Sequence, residues 1–299
     1  MAIVKELQQD LQLSEIEEKA FYDESGFNDG LIKPKILTDR DECQLGRVYY
    51  GRDQEEQDRI NFLSVTTYEQ VLNKGYGWDR WLGNSPSYQH AMDYANEKAL
   101  DGNIVHALTM YMQWGQEIDC NNGFYNMDTG KIVPITDTIK KRLLGFIQYY
   151  NDMMPELLAT ELSLYNPRKY RDRYIYPFAG TADIISRING KLFLIDIKTG
   201  KEYPKNHELQ LTAYKILWDS LYGKEHGVIE ELACLYLGDG WRKKPTYKLK
   251  KYTFNPEAWY NVIDLYNYVN GKKGVLELKF KEDLPNKYSL INKGENEDE

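Results

Sequence analysis

The stretch that most constrains this chain is Gly180 to Gly200, GTADIISRINGKLFLIDIKTG. Asn189-Gly190 lies between two runs of Ile, Leu and Phe, and Asn-Gly is the strongest short-range hairpin signal because both central positions of a type I′ turn need positive φ. A two-residue loop also fixes register: Ile188 faces Lys191, and the same register carried along the strands sets Asp183 opposite Asp196. Their Cβ atoms then stand about 4.5–5.5 Å apart on one face of the sheet. Leu192, Phe193, Leu194, Ile195 and Ile197 mark a strand covered on both faces, where two facing carboxylates repel. A shared proton, a cationic side chain or a metal ion offsets such repulsion. Lys198, two residues beyond Asp196, projects from the same face and reaches the same spot. Alone, the Asp-x-Lys triplet also suits a structural ion pair at a strand end. Opposite Asp183 it points to a site, since converging carboxylates and an ammonium suit a hard divalent cation and an anionic oxygen substrate.

The rest of the chain reads as two halves that change character near residue 155. The first is helix-rich. SPSYQHAMDYANEKALDGNIVHALTMYMQWG offers Ser85 as N-cap and Pro86 at the first helical position, with helical spacing on both sides of Gly102. TDTIKKRLLGFIQYYNDMMPE starts at a Thr136 or Asp137 cap, carries Ile139, Leu143, Phe146, Ile147 and Tyr150 on its apolar face, and stops before Pro155. Beyond it, residues 157–165, 174–188, 191–198, 233–237 and 247–254 suit strands. NHELQLTAYKILWDSLYG, with Gly223 as C-cap, and NPEAWYNVIDLYNYVNG, capped by Asn255 and Gly271, suit helices. The expected organisation is an N-terminal extension with weak hairpin signals (1–61), a helical lobe (62–155), an α/β core (156–275) and a C-terminal extension with an acidic tail (276–299).

Composition narrows the class. With 299 residues, 42% of them hydrophobic, the chain can bury a full core. No run approaches the roughly 18 apolar residues needed to cross a bilayer, and the acidic start does not resemble a secretory signal, so the expected location is cytoplasmic. Three cysteines, Cys43, Cys120 and Cys234, lie far apart without metal-ribbon spacing and read as fillers. A net charge of −8 argues against a surface that coats nucleic acid broadly, leaving local basic segments as the contact candidates. NPRKYRDRY (166–174) and WRKKPTYKLKKY (241–252) mix Arg and Lys with aromatic residues, as phosphate contact plus base stacking requires; edge-strand lysines that discourage aggregation give the same pattern. There is no Walker loop, no Gly-x-Ser-x-Gly elbow and no Gly-x-Gly-x-x-Gly after a strand, so neither ATP nor a dinucleotide is expected.

Asp183 followed by Asp196-Ile197-Lys198 resembles the core of the PD-(D/E)xK nucleases, and AGTAD…LIDIKTG is similar to the RecB-like branch that includes phage, bacterial and mitochondrial exonucleases. Three further segments match that branch in order: Gly102-Asn103-Ile104-Val105-His106 its Gly-x-x-x-His helix, Gln210-Leu211-Thr212-Ala213-Tyr214 its Gln-x-x-x-Tyr helix, and SVTTYEQVLNKGYGWDRW its Ser-Val-Thr segment. The resemblance covers roughly residues 62–270. It implies an α/β, restriction-endonuclease-like fold, a mixed central β-sheet flanked by helices with a helix-rich N-terminal lobe. It also implies a divalent-metal-dependent DNA exonuclease acting in recombination, repair or replication. The implied cofactor is Mg²⁺ or Mn²⁺, and the implied partner is single-stranded DNA or a duplex end.

By the same resemblance, Asp183, Asp196 and His106 are metal ligands with the Ile197 carbonyl, and Lys198 positions the attacking water or steadies charge at the phosphate. Glu161, in ATELSLY, matches an upstream acidic residue of the branch, and Gln210 and Tyr214 brace the site or touch the nucleic-acid backbone. On the residues alone, His106 among Ile104, Val105, Ala107 and Leu108 equally suits a core histidine, and Tyr214 belongs to an apolar stripe with Leu217 and Leu221. An endonuclease of the same core and a non-catalytic DNA-binding module are the competing readings. On this view Asp196→Ala abolishes metal-dependent cleavage, leaves the fold intact and removes a repulsion, with room for a gain in metal-free stability.

Overall fold

The computed structural model describes residues 30–34, 38–43, 46–52, 59–72, 75–126, 130–166, 169–170, 173–174, 178–238 and 247–270. The acidic tail and residues 241–246 of the second basic segment lie outside them. Near the N-terminus, β1 (Thr38–Cys43), β2 (Gly46–Arg52) and β3 (Arg59–Ser64) form an antiparallel meander. Helix α1 (Val65–Tyr68) runs into a 3-10 turn (Glu69–Val71), and α2 (Tyr76–Asn84) precedes the long α3 (Tyr88–Gln113). A ribbon of β4 (Phe124–Asn126) and β5 (Lys131–Val133) leads to α4 (Asp137–Met153). The second half holds β6 (Glu156–Tyr165), a ribbon of β7 (Lys169–Tyr170) and β8 (Arg173–Tyr174), β9 (Phe178–Ile188) and β10 (Lys191–Lys198). It closes with α5 (Pro204–Leu221), the one-turn α6 (Gly223–His226), β11 (Glu231–Leu237), β12 (Tyr247–Tyr252) and α7 (Pro256–Asn270).

These strands build the expected mixed sheet flanked by helices. Its order is β1-β2-β3-β9-β10-β11-β12, with β6 antiparallel along β9. The β10–β11 pair is parallel, joined by α5 as crossover, and β3 also runs parallel to the start of β9. Successive residues of β10 serve opposite layers: Leu192 and Leu194 join Trp218, Trp259 and Leu217 of α5 and α7, while Phe193, Ile195 and Ile197 join Ile104, Leu108, Ile139 and Phe146 of α3 and α4. Burying such side chains contributes about 1.5–3 kcal/mol each. That two-sided covering is why LFLIDIK reads as almost continuously apolar.

The hairpin is as the sequence dictates. Asn189 and Gly190 have φ of 50° and 78°, and the pairs run from Lys191↔Ile188 to Ile195↔Ile184. The direct opposition expected of Asp183 and Asp196 is not reached, because the ladder ends one step before them. Of the expected strand over 174–188, Tyr174 lies in β8 and residues 178–188 form β9, while residues 175–177 lie outside the described residues.

Helix boundaries also shift. Ser87, not Ser85, caps α3, its Oγ accepting from the His90 N–H at 3.0 Å, while Ser85 closes α2 by donating to the Trp81 carbonyl. Thr136 caps α4 as expected, accepting from the Ile139 N–H at 3.3 Å. The buried face of α4 carries Tyr149 where Ile147 was expected; Ile147 is exposed and Tyr150 half-buried. Gly223 does not end α5; it opens α6, and Tyr222 is the cap. Asn255 caps α7 through its Oδ1, which accepts from the Ala258 N–H at 3.3 Å.

Candidate metal centre

The site forms where β9 and β10 part company. Following the alternation of an antiparallel ladder, Ile197 and Ala182 form the next hydrogen-bonded pair of the register. The Ile197 N–H instead donates to the Asp183 carboxylate, Oδ2, at 2.6 Å. A side chain thus replaces a ladder carbonyl, which opens the sheet while leaving no backbone donor orphaned. Both aspartates are buried, and their mutual repulsion acts against closing the ladder further.

Glu161 arrives from the opposite edge of β9. Thr160↔Ile184 and Leu162↔Ala182 flank it, so its register position faces Asp183. Its backbone sits at φ 45°, a left-handed conformation that a non-glycine residue adopts only where surroundings impose it. Glu161 and Asp183 therefore face each other across β6 and β9, Asp196 stands on β10 one step beyond the last β9–β10 pair, and Cys234 of β11 is the register partner of Asp196.

His106 enters from the helical layer. Its Nδ1 is 3.4 Å from Glu161 Oε1 and 3.5 Å from Asp183 Oδ2, and one donor atom from each of the three residues lies within 4.8 Å of the others. Gly102, one turn earlier, explains the approach. A Cβ there would stand 3.2 Å from Thr199 Oγ1, so the missing side chain lets α3 cross the end of β10 closely and hang His106 over the carboxylates. Burial disfavours the charged imidazole, but Asp183 and Glu161 outweigh it and hold its pKa well above the ordinary histidine range.

Lys198 comes from the strand end and is braced by α5. Its Nζ is 2.6 Å from Asp196 Oδ2 and donates to Gln210 Oε1 at 2.8 Å; Gln210 Nε2 in turn donates to Tyr214 Oη at 3.0 Å. A Cβ on Gly180 would overlap the Tyr214 ring, so that glycine leaves the ring its place. Burial works against the ammonium, yet Asp196 and then Asp183 keep Lys198 charged well beyond the usual lysine range. Burial pushes the Asp196 carboxyl up, with Lys198 pulling against it. Cys234 Sγ lies 3.9 Å from Asp196 Oδ2, and burial followed by Asp196 raises the thiol, which makes it a neutral neighbour and no nucleophile.

Every residue singled out from sequence thus falls in one neighbourhood: His106, Glu161, Asp183, Asp196, Ile197, Lys198, Gln210 and Tyr214. One acid in a matched segment was passed over. Glu69 follows the Ser64 cap of α1, whose Oγ accepts from the Thr67 N–H at 3.0 Å. Burial pushes its carboxyl up to about 8, with Lys198 opposing and Asp196 adding to the rise. In sequence, TTYEQV offers a solvated glutamate in a capped turn and nothing that marks it as buried.

The basic segment on β12 is locally neutralised. Lys248 and Lys250 both pair with Glu202, the latter at 2.8 Å, and Lys251 pairs with Glu231 at 3.0 Å. Side chains of the first basic segment beyond Asn166 lie outside the described residues.

A group of one imidazole and two carboxylates with neighbouring donor atoms can hold a divalent metal ion. No family model matches the chain, and no curated protein does. Among solved structures, the chain is similar to a protein of Eubacterium rectale provisionally named an exonuclease (TM-score 0.41, 12% identity, 76% of this chain and 91% of that one). It is also similar to an alkaline exonuclease of Laribacter hongkongensis (TM-score 0.33, 10% identity, 71% and 93%). At these scores neither likeness bears on the site, whose chemistry rests on its own geometry.

Proposed function

We propose that this chain is a divalent-metal-dependent deoxyribonuclease of the PD-(D/E)xK kind, acting as an exonuclease on single-stranded DNA or a duplex end. The observation that carries the reading is the facing pair Glu161 and Asp183, met by His106, with the Asp196–Lys198 pair at the adjoining end of β10. Such a concentration of buried acids is costly without a cation, and a charged lysine beside them suits an anionic substrate.

His106, Glu161 and Asp183 would hold the ion. Oxygen donors suit Mg²⁺ and Mn²⁺ alike, and the imidazole favours Mn²⁺. When bound, the ion supplies Lewis-acid charge to the phosphate and lowers the pKa of a water. The protein's own groups do the rest. Asp183 is aimed by the Ile197 N–H, Glu161 by its left-handed backbone, and Lys198 by Gln210 and Tyr214, leaving an ammonium to meet negative charge that develops at the phosphate. Metal ligands are deprotonated, so His106, whose pKa Asp183 and Glu161 raise, would have to release any proton it carries to hold an ion.

Digestion of 5′- and 3′-labelled linear DNA beside circular single strands, with Mn²⁺, Mg²⁺ or EDTA, tests this reading. Linear substrates are expected to be degraded in either metal and spared in EDTA, with circles intact. Cut circles would make the protein an endonuclease of the same core, and intact linear DNA in both metals would overturn the nuclease reading.

A further inference from the structure

Three residues in register cross the sheet beside the carboxylates. Lys198 of β10 faces Tyr236 of β11, and Tyr236 faces Lys248 of β12. At about 4.8 Å per strand, the Lys248 backbone stands roughly 10 Å from that of Lys198. Register partners project from one face, so Lys248 and Lys250, two residues on, share the face that carries Asp196 and Lys198. The floor beneath the two lysines is aromatic and fixed. The Lys248 ammonium lies 5.9 Å from the Tyr236 ring centre, and that of Lys250 5.3 Å from the Tyr252 ring centre. The two tyrosine hydroxyls are 2.6 Å apart, and Tyr236 Oη is 2.6 Å from His207 Nδ1 of α5.

One carboxylate joins the two ammonium groups. Glu202 Oε1 accepts from Lys248, and Oε2 accepts from Lys250 at 2.8 Å. The lysines, Lys248 foremost, hold its carboxyl down at about 2, so Glu202 is charged. It lies in the stretch 199–203, which links β10 to α5 and belongs to neither. That grip has the form of a bound anion: a carboxylate giving one oxygen to each of two ammonium groups stands where two non-bridging oxygens of a phosphodiester would. Exposed ion pairs of this kind contribute little stability, and a nucleic-acid strand that releases counterions on binding can displace one. Lys251 serves the opposite face, over the Phe193 ring and paired with Glu231.

We propose that Lys248 and Lys250 form a subsite for a backbone phosphate of the DNA strand beside the metal centre, and that Glu202 occupies it in the free protein as an internal competitor. The inference rests on the nuclease reading above and adds to it a place for the substrate. Strand binding exchanges Glu202 for phosphate at the two ammonium groups, and the 199–203 link lets the carboxylate swing away.

The test is the affinity of the intact protein for fluorescein-labelled oligo(dT), measured by anisotropy in EDTA across a salt series. Glu202→Gln removes the competitor and is expected to lower the Kd by at least about threefold at low salt. Lys248→Gln combined with Lys250→Gln is expected to weaken binding by about tenfold and to make the slope of log K against log salt shallower by about 0.7, the contribution of one phosphate. In that double background Glu202→Gln no longer tightens binding. Lys251→Gln, the same change of charge on the other face, leaves affinity and slope unchanged. Unchanged or weaker binding by Glu202→Gln, tightening that persists without the two lysines, an equal loss in Lys251→Gln, or a wild type that does not bind would each overturn the proposal. Binding in EDTA is read without cleavage, so the two readings fail separately: a nuclease indifferent to these lysines refutes the subsite alone, and a protein that binds through them yet spares DNA in both metals refutes the reaction alone.

Discussion

At the residue scale, the ion pair of Lys198 and Asp196 changes what a substitution at Asp196 should do. Repulsion between the aspartates suggested that removing one carboxylate could stabilise the metal-free protein. With Asp196 2.6 Å from a largely buried ammonium, its removal leaves Lys198 short of its main counter-charge. Asp196→Asn is therefore expected to cost stability, up to about 3–5 kcal/mol, and Lys198→Met combined with it to restore part of the loss, so that urea midpoints in the double-mutant cycle are strongly non-additive. Additive midpoints would show that the two groups do not depend on each other. Gly180→Ala forces a methyl group into the Tyr214 ring and should lower the unfolding free energy by about 1–3 kcal/mol, read as a lower urea midpoint, while disturbing the Gln210 bond to that ring; an unchanged midpoint would contradict the packing. Part of this neighbourhood was legible in the residues: hairpin register holds up to Ile195↔Ile184 but not to the direct opposition of Asp183 and Asp196, and i, i+4 spacing places Gln210 beside Tyr214. Glu69 and the turned backbone of Glu161 were not, because neither burial of a lone acid nor a positive φ at a non-glycine residue leaves a mark on one sequence.

At the scale of elements, the strongest local signals specified what they should. Asn189-Gly190 set the turn and the register through Ile195↔Ile184, and Asn255-Pro256 opened a helix. Register stopped being readable where a side chain took over a ladder bond, at Asp183 and Ile197, since periodicity carries no information on when a carboxylate outcompetes a carbonyl. The start of α3 was misplaced by two residues because Ser85 and Ser87 flank the same proline and both are good caps. The distinction is measurable. Ser87→Ala should weaken the first turn of α3 by about 1 kcal/mol, read as faster hydrogen exchange of its amides, whereas Ser85→Ala leaves those amides unchanged. Equal effects would return the cap to Ser85.

For the whole molecule, the alternation of Leu192 and Leu194 with Phe193, Ile195 and Ile197 assigns one helical layer to each face of the sheet, and that much of the α/β architecture follows from the sequence. The joining of β1–β3 to the same sheet did not follow, because their pairing with β9 is long-range and depends on two residues, Leu63 and Ser64. Among the described residues, no helix is long and apolar enough to cross a membrane. Stability should depend on pH through His207, buried beside Lys198 on α5. Burial and then Lys198 lower its pKa to about 4, and its Nδ1 is 2.6 Å from Tyr236 Oη, which lies 2.6 Å from Tyr252 Oη. Because the folded pKa lies below the unfolded one, the unfolded chain takes up the proton first. Stability is accordingly full above pH 6.5 and falls as pH drops towards 4, by up to about 1.4 kcal/mol per unit. His207→Gln should flatten that slope in urea titrations between those limits, and an equal slope would remove His207 as its source.

The central claim is that the carboxylates gathered at the parting of β9 and β10 hold the ion that cleaves DNA. Asp183→Asn tests it most directly, because the amide oxygen can still accept from the Ile197 N–H while the ligand charge is lost. The measurement is the Mn²⁺-dependent degradation rate of end-labelled single-stranded DNA by the variant and by wild type, at equal folded fraction. A fall of at least about 100-fold is the predicted result; a rate equal to wild type would contradict it.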